Sequence, residues 1–386
     1  MRTAGTDGCK TTRGRRRLSL VFVSLALGAA ACGGSDSSGG GDGSTLTIGA
    51  TLPLTGGQSE IGRSMREGAE LAAEEANADQ LLGADCEIEL DIKDNQGKDE
   101  LGVTAVQSFS DEALPAVLTS YTGLTLAAVP TAEAEQMVLL NGGGSGNALA
   151  GASDWLYNVF PVVRDEHKAL AAYLTEQGHK KAAILHVENE FGNAYRDDFT
   201  EAFSGDIVEV QSFQAGAADV RSQLQIIKAA KPDLLYLATG GGADTVTLVS
   251  QARELGIESV MAGTANLVTP EVLELPAGEG IIHTTYALDA PEFVERYEER
   301  FARAPTIYST NYYDAVMTVA TAFKESGAAD CQIDGEALRS AISEQEIFPG
   351  ATGPFSFTEE NVVSRPISVA VVKDGADDIV GESTAG

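Results

Sequence analysis

Positive charge is what this chain has least of. Only 26 Lys and Arg stand against 57 Asp and Glu, a formal net charge of −31 over 386 residues. A surface of that sign repels phosphate backbones and anionic headgroups, which excludes nucleic acid and the bare membrane surface as partners. Long apolar runs are missing too. The most continuous, Leu18–Ala31, has 14 residues and is too short to span a bilayer comfortably as a helix. Histidine is rare, and His167, His179, His186 and His283 show no zinc spacing. Neither a Walker A sequence nor the G-x-G-x-x-G dinucleotide pattern occurs. Gly143-Gly144-Ser145-Gly146-Asn147 fails the hydrolase nucleophile elbow, because Asn147 stands where its last glycine belongs. Asp94-Asn95-Gln96-Gly97 opens like a calcium loop, but Gln96 takes the third position and no EF-hand pattern follows. Glu74-Glu75 and Glu298-Glu299 read as solvated helix faces. No nucleophile, base and orienting group assemble, so the expectation is a protein without catalysis, cofactor or metal.

What is present begins at the N-terminus. Arg13, Arg15, Arg16 and Arg17 precede the apolar run, and Ala29-Ala30-Ala31 precedes Cys32, the order of a secretory signal. A cysteine at the expected cut resembles the lipobox of bacterial lipoproteins, although Ala29 stands where that family usually has Leu. The resemblance implies a signal peptide over 1–31 and acylation of Cys32; an ordinary signal with an incidental cysteine is the alternative. Arg15-Arg16 keeps a twin-arginine route open beside general secretion. Gly33–Ser44 is a Gly/Ser-rich linker whose root-mean-square span is roughly 20 Å. Cys9 leaves with the signal, so Cys86 and Cys331 remain in an oxidising compartment. That even number is consistent with one disulfide or with two buried free thiols.

Hydrophobic content of 43% supports a real core, and the length after residue 31 suggests two domains. Strand-like runs at Thr45–Pro53, Cys86–Lys93, Ala116–Thr119 and Met137–Asn141 alternate with helical patterns at Ile61–Asn77, Leu101–Ser110 and Leu124–Glu135. The alternation pauses near Gly142–Phe160, where Leu156–Phe160 suggests a passage between lobes. It resumes with strands at Ala182–Val187, Ile207–Phe213 and Asp233–Ala238 and helices at Ala194–Phe203, Val220–Ala230 and Ala243–Leu255. After Ile281–Asp289 come helices at Pro291–Phe301, Ser309–Ser326 and Gly335–Ile347, then strands near Phe355–Phe357 and Ile367–Lys373. Repeated βα units predict an α/β protein with parallel sheets covered on both faces.

Ligands of open α/β sheets sit beyond the carboxyl ends of strands. Three polar loops occupy that place: Thr119-Ser120-Tyr121-Thr122-Gly123, Asn141-Gly142-Gly143-Gly144-Ser145-Gly146 and Thr239-Gly240-Gly241-Gly242. Glycines let backbone N–H groups approach an anion, and a following helix adds positive potential. The hydroxyls of Thr122 and Ser145 add donors for a carboxylate. No loop contains Arg or Lys, so an anion there would be held by neutral dipoles. Ordinary turn and capping chemistry is the plainer reading of any one loop.

Ile48-Gly49-Ala50-Thr51-Leu52-Pro53-Leu54-Thr55-Gly56, with Ile61-Gly62 and Gly68-Ala69, resembles the opening of the type I periplasmic binding proteins of the leucine/isoleucine/valine-binding family. The resemblance continues through Asp94–Gly97, Leu126-Ala127-Ala128-Val129-Pro130, Glu190-Phe191-Gly192 and Gln251–Gly256. It extends to Asn311-Tyr312-Tyr313-Asp314-Ala315 and Gly353-Pro354-Phe355, and so covers nearly all of Thr45–Lys373. It implies two doubly wound parallel-sheet lobes joined by three hinge crossings, near Pro161, Thr284 and Phe357. Lobe 1 is then 45–161 with 285–357, and lobe 2 is 162–284 with 358–386. Cys86 and Cys331 fall in the same lobe, which makes their pairing geometrically possible. The family's carboxylate site carries onto Thr122 (or Ser120 if the alignment slips), Gly143 and Ser145. Its aromatic wall falls on Phe191 and Tyr308, and Ile61 lies near the cleft mouth. Tyr121 is added here as a stacking surface, and core packing is the alternative for each aromatic.

One departure concerns the ligand. Amino-acid-binding relatives place an acid in the segment matching Gly263-Thr264-Ala265-Asn266, where this chain has none. Thr264 or Asn266 would accept a hydrogen bond there, and Asp244 or Glu190 are possible substitutes. An unpaired buried ammonium is costly, so an amide, an aromatic acid or another small carboxylate stays open beside an α-amino acid. The expectation is a lipid-anchored extracytoplasmic receptor delivering its ligand to the permease and ATPase subunits of an ABC importer. A sensor of the same fold, and more remotely a hydrolase, are the alternatives.

Overall fold

The computed structural model describes residues 44–239, 243–286 and 290–384. The expected signal segment 1–31, the acylation at Cys32, the linker to residue 43 and Gly241 lie outside them. The first lobe alternates β1 (Ser44–Leu52), α1 (Ser59–Ala78), β2 (Cys86–Asp94), α2 (Asp99–Asp111), β3 (Ala116–Thr119), α3 (Thr122–Glu135), β4 (Val138–Asn141) and β5 (Leu156–Asn158). The second runs through α4 (Val163–Glu176), β6 (Lys181–Val187), α5 (Glu190–Ala202), β7 (Asp206–Phe213), α6 (Arg221–Ala230), β8 (Leu234–Ala238), α7 (Ala243–Glu254), β9 (Val260–Gly263), α8 (Pro270–Leu273) and β10 (Ile282–Thr285). The chain then forms α9 (Pro291–Phe301), α10 (Ile307–Ser326), α11 (Gly335–Glu344), β11 (Ser356–Phe357), β12 (Val363–Ser364), β13 (Pro366–Lys373) and β14 (Ala376–Thr384).

The first sheet is parallel throughout, in the order β2-β1-β3-β4-β5. The second has the order β14-β13-β10-β9-β8-β6-β7, with β13 and β14 antiparallel at one edge. Side chains of a strand point alternately to its two faces, and both faces are buried here. Ala116 and Leu118 therefore join the core under α1 and α10, while Val117 between them joins the core under α2 and α3. In β8, Leu235 and Leu237 face one core of the second lobe, and Leu234 and Tyr236 the other. α1 crosses α10 so closely that a Cβ on Gly68 would lie 2.0 Å from Ser309 O. Only glycine fits there, and that contact sets where the start of α10 meets the site.

Cys86 and Cys331 form a disulfide across 245 residues, with their Cα atoms 5.3 Å apart. Among the differences from the expectation, four bear on how the lobes are built. Leu156–Asn158 completes the first sheet as β5, pairing with β4, before the chain leaves that lobe. α4 went unforeseen, although Val163, His167, Leu170, Ala171 and Leu174 are buried at helical spacing. β14 follows β13 through a tight turn, its exposed acids hiding a strand signal. The third crossing falls at Arg365 and not at Phe357, because Phe357 pairs with Val363 and Asn158 bridges Val362, keeping this hairpin with the first lobe. Arg365 is pinned there by its Nη2, 2.7 Å from Oδ2 of the fully buried Asp314. Among the described residues no helix is long and apolar enough to cross a membrane, and no group of three His, Cys, Asp or Glu side chains could hold a metal ion.

Candidate functional site

The first-lobe half of the site is built at the carboxyl ends of β3 and β4. Asn141, fully buried at the end of β4, shapes the glycine loop that follows it. Its Oδ1 accepts from Gly144 N at 2.9 Å, while its Nδ2 donates to Gly144 O at 2.7 Å and to Asn158 Oδ1 at 3.1 Å. The loop lies so close to the β3–α3 turn that a Cβ on Gly143 would stand 2.0 Å from Ser120 O. Thr122, the first residue of α3, accepts from Gly146 N at 3.1 Å and ties the two loops together. α10 braces them from behind: Asn311 Nδ2 donates to Gly142 O at 3.0 Å, and the Tyr312 hydroxyl to Thr119 O at 2.5 Å. Each brace satisfies a buried carbonyl that would otherwise be left unpaired.

Ser120 is fully buried, and its hydroxyl accepts from Asn95 Nδ2 at 2.9 Å. Ser120 and Gly143 therefore stand behind the wall, and Thr122 and Ser145 form it. Asp94 next door is a loop staple, not the start of a cation loop. Its carboxylate accepts from the backbone of Leu54 and Gln96, both at 2.9 Å, and from the Thr55 hydroxyl at 2.6 Å. The Tyr121 hydroxyl is buried with no hydrogen-bond partner among the described residues, and burial, reinforced by the nearby Tyr308 hydroxyl, pushes its pKa up to about 12. Tyr308 meets Phe160 edge-on at 6.3 Å between ring centroids, and Phe160 meets Tyr286 at 5.2 Å.

The second-lobe half is carried on helices. Phe191, in the first turn of α5, lies 3.9 Å from Tyr195 between centroids. Tyr195 is fixed in turn by Asn266 Nδ2, 3.1 Å from its hydroxyl, and by Thr264. Thr264 is thus a support of the aromatic wall, one step behind it. Below them, the fully buried Glu166 of α4 accepts from the Thr284 hydroxyl at 2.9 Å, the Tyr286 hydroxyl and Ala265 N–H. Burial raises its pKa against those bonds. His167 is held neutral. Its Nδ1 donates to Val163 O at 2.9 Å, its Nε2 accepts from the Tyr236 hydroxyl at 2.5 Å, and burial lowers its pKa to about 4.

These halves meet in a cavity of about 270 Å³ lined by Thr122, Ser145, Gly146 and Asn147 from the first lobe and by Val163, Phe191, Tyr195 and Asp198 from the second. Thr122, Ser145 and Phe191, three of the residues singled out in the sequence, share this one space. Asn147, Tyr195 and Asp198 were missed. Asn147 spans the lobes, accepting from Arg164 N at 2.8 Å and donating to Asp198 Oδ2 at 2.7 Å. Only the helical spacing from Phe191 to Tyr195 and Asp198 signalled the last two; nothing in the sequence singled out Asn147.

Two doubly wound lobes facing each other across a cavity with hydroxyls on one side and rings on the other define a solute-binding fold. The model for the family described as periplasmic binding protein matches residues 45–377, and the chain belongs to that family. It is 25% identical over 339 residues to the Leu/Ile/Val-binding protein homolog 3 of Brucella melitensis, covering 83% of this chain and 89% of that one. Its fold is similar to that of the branched-chain amino acid transporter substrate-binding protein LivJ of Streptococcus pneumoniae in complex with isoleucine. The TM-score is 0.70 at 22% identity, over 88% of this chain and 99% of that one. It is also similar to a solute-binding protein of an R. palustris ABC transporter in complex with benzoate, with TM-score 0.69 at 18% identity over 88% and 96% of the two chains. These relatives are binding proteins and not enzymes, and the family's place is extracytoplasmic.

Proposed function

We propose that the chain is a lipid-anchored receptor that captures a small carboxylate-bearing solute between its lobes and presents it to the permease of an ABC importer. The observation that carries the proposal is the shared cavity, in which Thr122 and Ser145 offer hydroxyls beside the N-terminus of α3 and Phe191 offers a ring from the opposite lobe. Helix N-termini favour negative charge, so a carboxylate needs no Arg or Lys there. Ser120 and Gly143 hold that wall in place; Thr264 steadies the ring pair; Tyr121 and Tyr308 complete the ligand's surroundings. Relatives of the same fold bind isoleucine in one case and benzoate in another, and a carboxylate is what those ligands share. Closure around the ligand is the hinge motion of periplasmic binding proteins, and it follows only if ligand binds the closed state better. Acylation at Cys32 and the linker after it supply the tether.

Thermal unfolding of the purified chain against amino acids, amides and aromatic acids tests the receptor. A solute at a hundredfold excess over its Kd adds about 2.7 kcal/mol to native stability. The midpoint should rise with a carboxylate-bearing class and stay put with Thr122→Val. Silence across the panel overturns the reading. Cys32→Ala should release the chain from the membrane fraction, and its retention there would overturn the tether.

A further inference from the structure

We infer that Asp198 determines specificity, receiving a positively charged nitrogen of the ligand whose carboxylate faces Thr122 and Ser145. This rests on the receptor reading above. Asp198 lines the same cavity as those two hydroxyls but belongs to the other lobe, in the third turn of α5. Its side chain is only 16% exposed, so its carboxylate has lost much of its water. Neutral Asn147 compensates one oxygen, Oδ2, at 2.7 Å, and Oδ1 has no hydrogen bond among the described residues.

Among the described residues no cation is hydrogen-bonded to it, and Arg164 acts on it only from a distance. His167 Nδ1 is 3.9 Å away, but that ring nitrogen spends its proton on Val163 O. The Arg164 guanidinium is engaged by Glu360 and by Asp165, with its Nε 3.5 Å from Asp165 Oδ1. The acids Glu201 and Asp197 act on Asp198 with the same sign and make an added cation more welcome. A half-desolvated carboxylate with no cation bonded to it, on the wall of a cavity, is a place where a ligand ammonium gains a charge-assisted hydrogen bond.

The other acids nearby do not compete for this role. Glu166 is fully buried, with three donors already on its carboxylate. The segment Gly263–Asn266 contributes no acid, and Thr264 and Asn266 are committed to Tyr195. Asn147 makes the assignment more than a local contact. It reaches Asp198 from the first lobe, so a cation neutralising Asp198 is held at the junction that keeps the lobes together. Ligand charge then bears on closure as well as on contact.

The test is calorimetric titration of the full chain with matched pairs, leucine against 4-methylpentanoate and phenylalanine against 3-phenylpropanoate. Each pair differs only in the ammonium. Wild type should prefer the amino member by about tenfold or more, the scale of a hydrogen bond to a charged group. Asp198→Asn should collapse that preference by weakening the amino member alone, and Asp198→Glu should keep much of it. Equal affinity within each pair for wild type overturns the assignment and leaves the receptor intact. So does an undiminished preference in Asp198→Asn. Should Asp198→Asn fail to fold, the wild-type pairs and Asp198→Glu still decide. If no member of either pair binds, this assignment falls, and the receptor reading is decided by the wider panel.

Discussion

In the first lobe the cavity wall is loop, in the second it is helix, and the two are stiffened differently. The first-lobe loops are held by buried amide and hydroxyl bonds from Asn141, Asn311 and Tyr312, and the third crossing by an Asp314–Arg365 ion pair. The second-lobe wall stands on α5, with neutral partners beneath it: Glu166 is served by hydroxyls and a backbone N–H, and His167 by Tyr236. A loop that must present backbone dipoles needs bracing at every carbonyl. A helix already satisfies its own backbone and needs only its side chains steered.

Removing one partner of the buried pair should have the largest effect. Arg365→Ala leaves the buried Asp314 without its counter-ion and with Ala351 N–H on its carboxylate, and should cost about 3–5 kcal/mol of stability by urea unfolding. A loss below 1 kcal/mol would show that this lobe does not lean on paired charge. The second lobe should instead reveal itself through pH. His167 titrates near 4 in the fold against an ordinary 6.5, so between those values the unfolded chain binds a proton that the native one refuses. Stability therefore falls as pH drops from about 6.5 to 4, by roughly 3 kcal/mol from this residue alone. His167→Gln should flatten that part of the urea-midpoint profile, and an unchanged slope would remove His167 as its source. A smaller effect is expected from Asn141→Ala, about 1–3 kcal/mol for the glycine-loop groups it leaves unpaired. That variant should also weaken solute binding, as a purely second-lobe wall would not.

Much of this comparison was legible in advance, unevenly. Parallel strands buried on both faces read as apolar runs, so β1, β3, β4, β6 and β8 stood out. β14 did not, because its exposed acids interrupt the pattern, and α4 was lost beside the glycine-rich segment before it. Thr122, Ser145 and Phe191 were readable because strand-end loops and a family motif mark them. Asn147 was not, and Asp198 had only its helical spacing from Phe191, because each matters through a partner in the other lobe, 51 residues away. Spacing reports local periodicity; it says nothing of which side chains two lobes bring face to face. The passage at Arg365 was missed for the same reason, since the Asn158–Val362 bridge that delays it joins distant parts of the chain.

The disulfide has a mechanical consequence. Ser44 opens β1 opposite Cys86, and Cys331 Sγ lies 3.1 Å from Ser44 O. A pull applied at Ser44 would load the β1–β2 ladder in shear, from Ser44↔Cys86 to Leu52↔Asp94. β2 is an edge strand, held on its helix side by the Asn77 amide, which pairs with both backbone groups of Ile88. The Cys86–Cys331 bond rivets it to the chain just beyond α10, so a tug is spread across the first lobe well away from the hinge and the solute cavity.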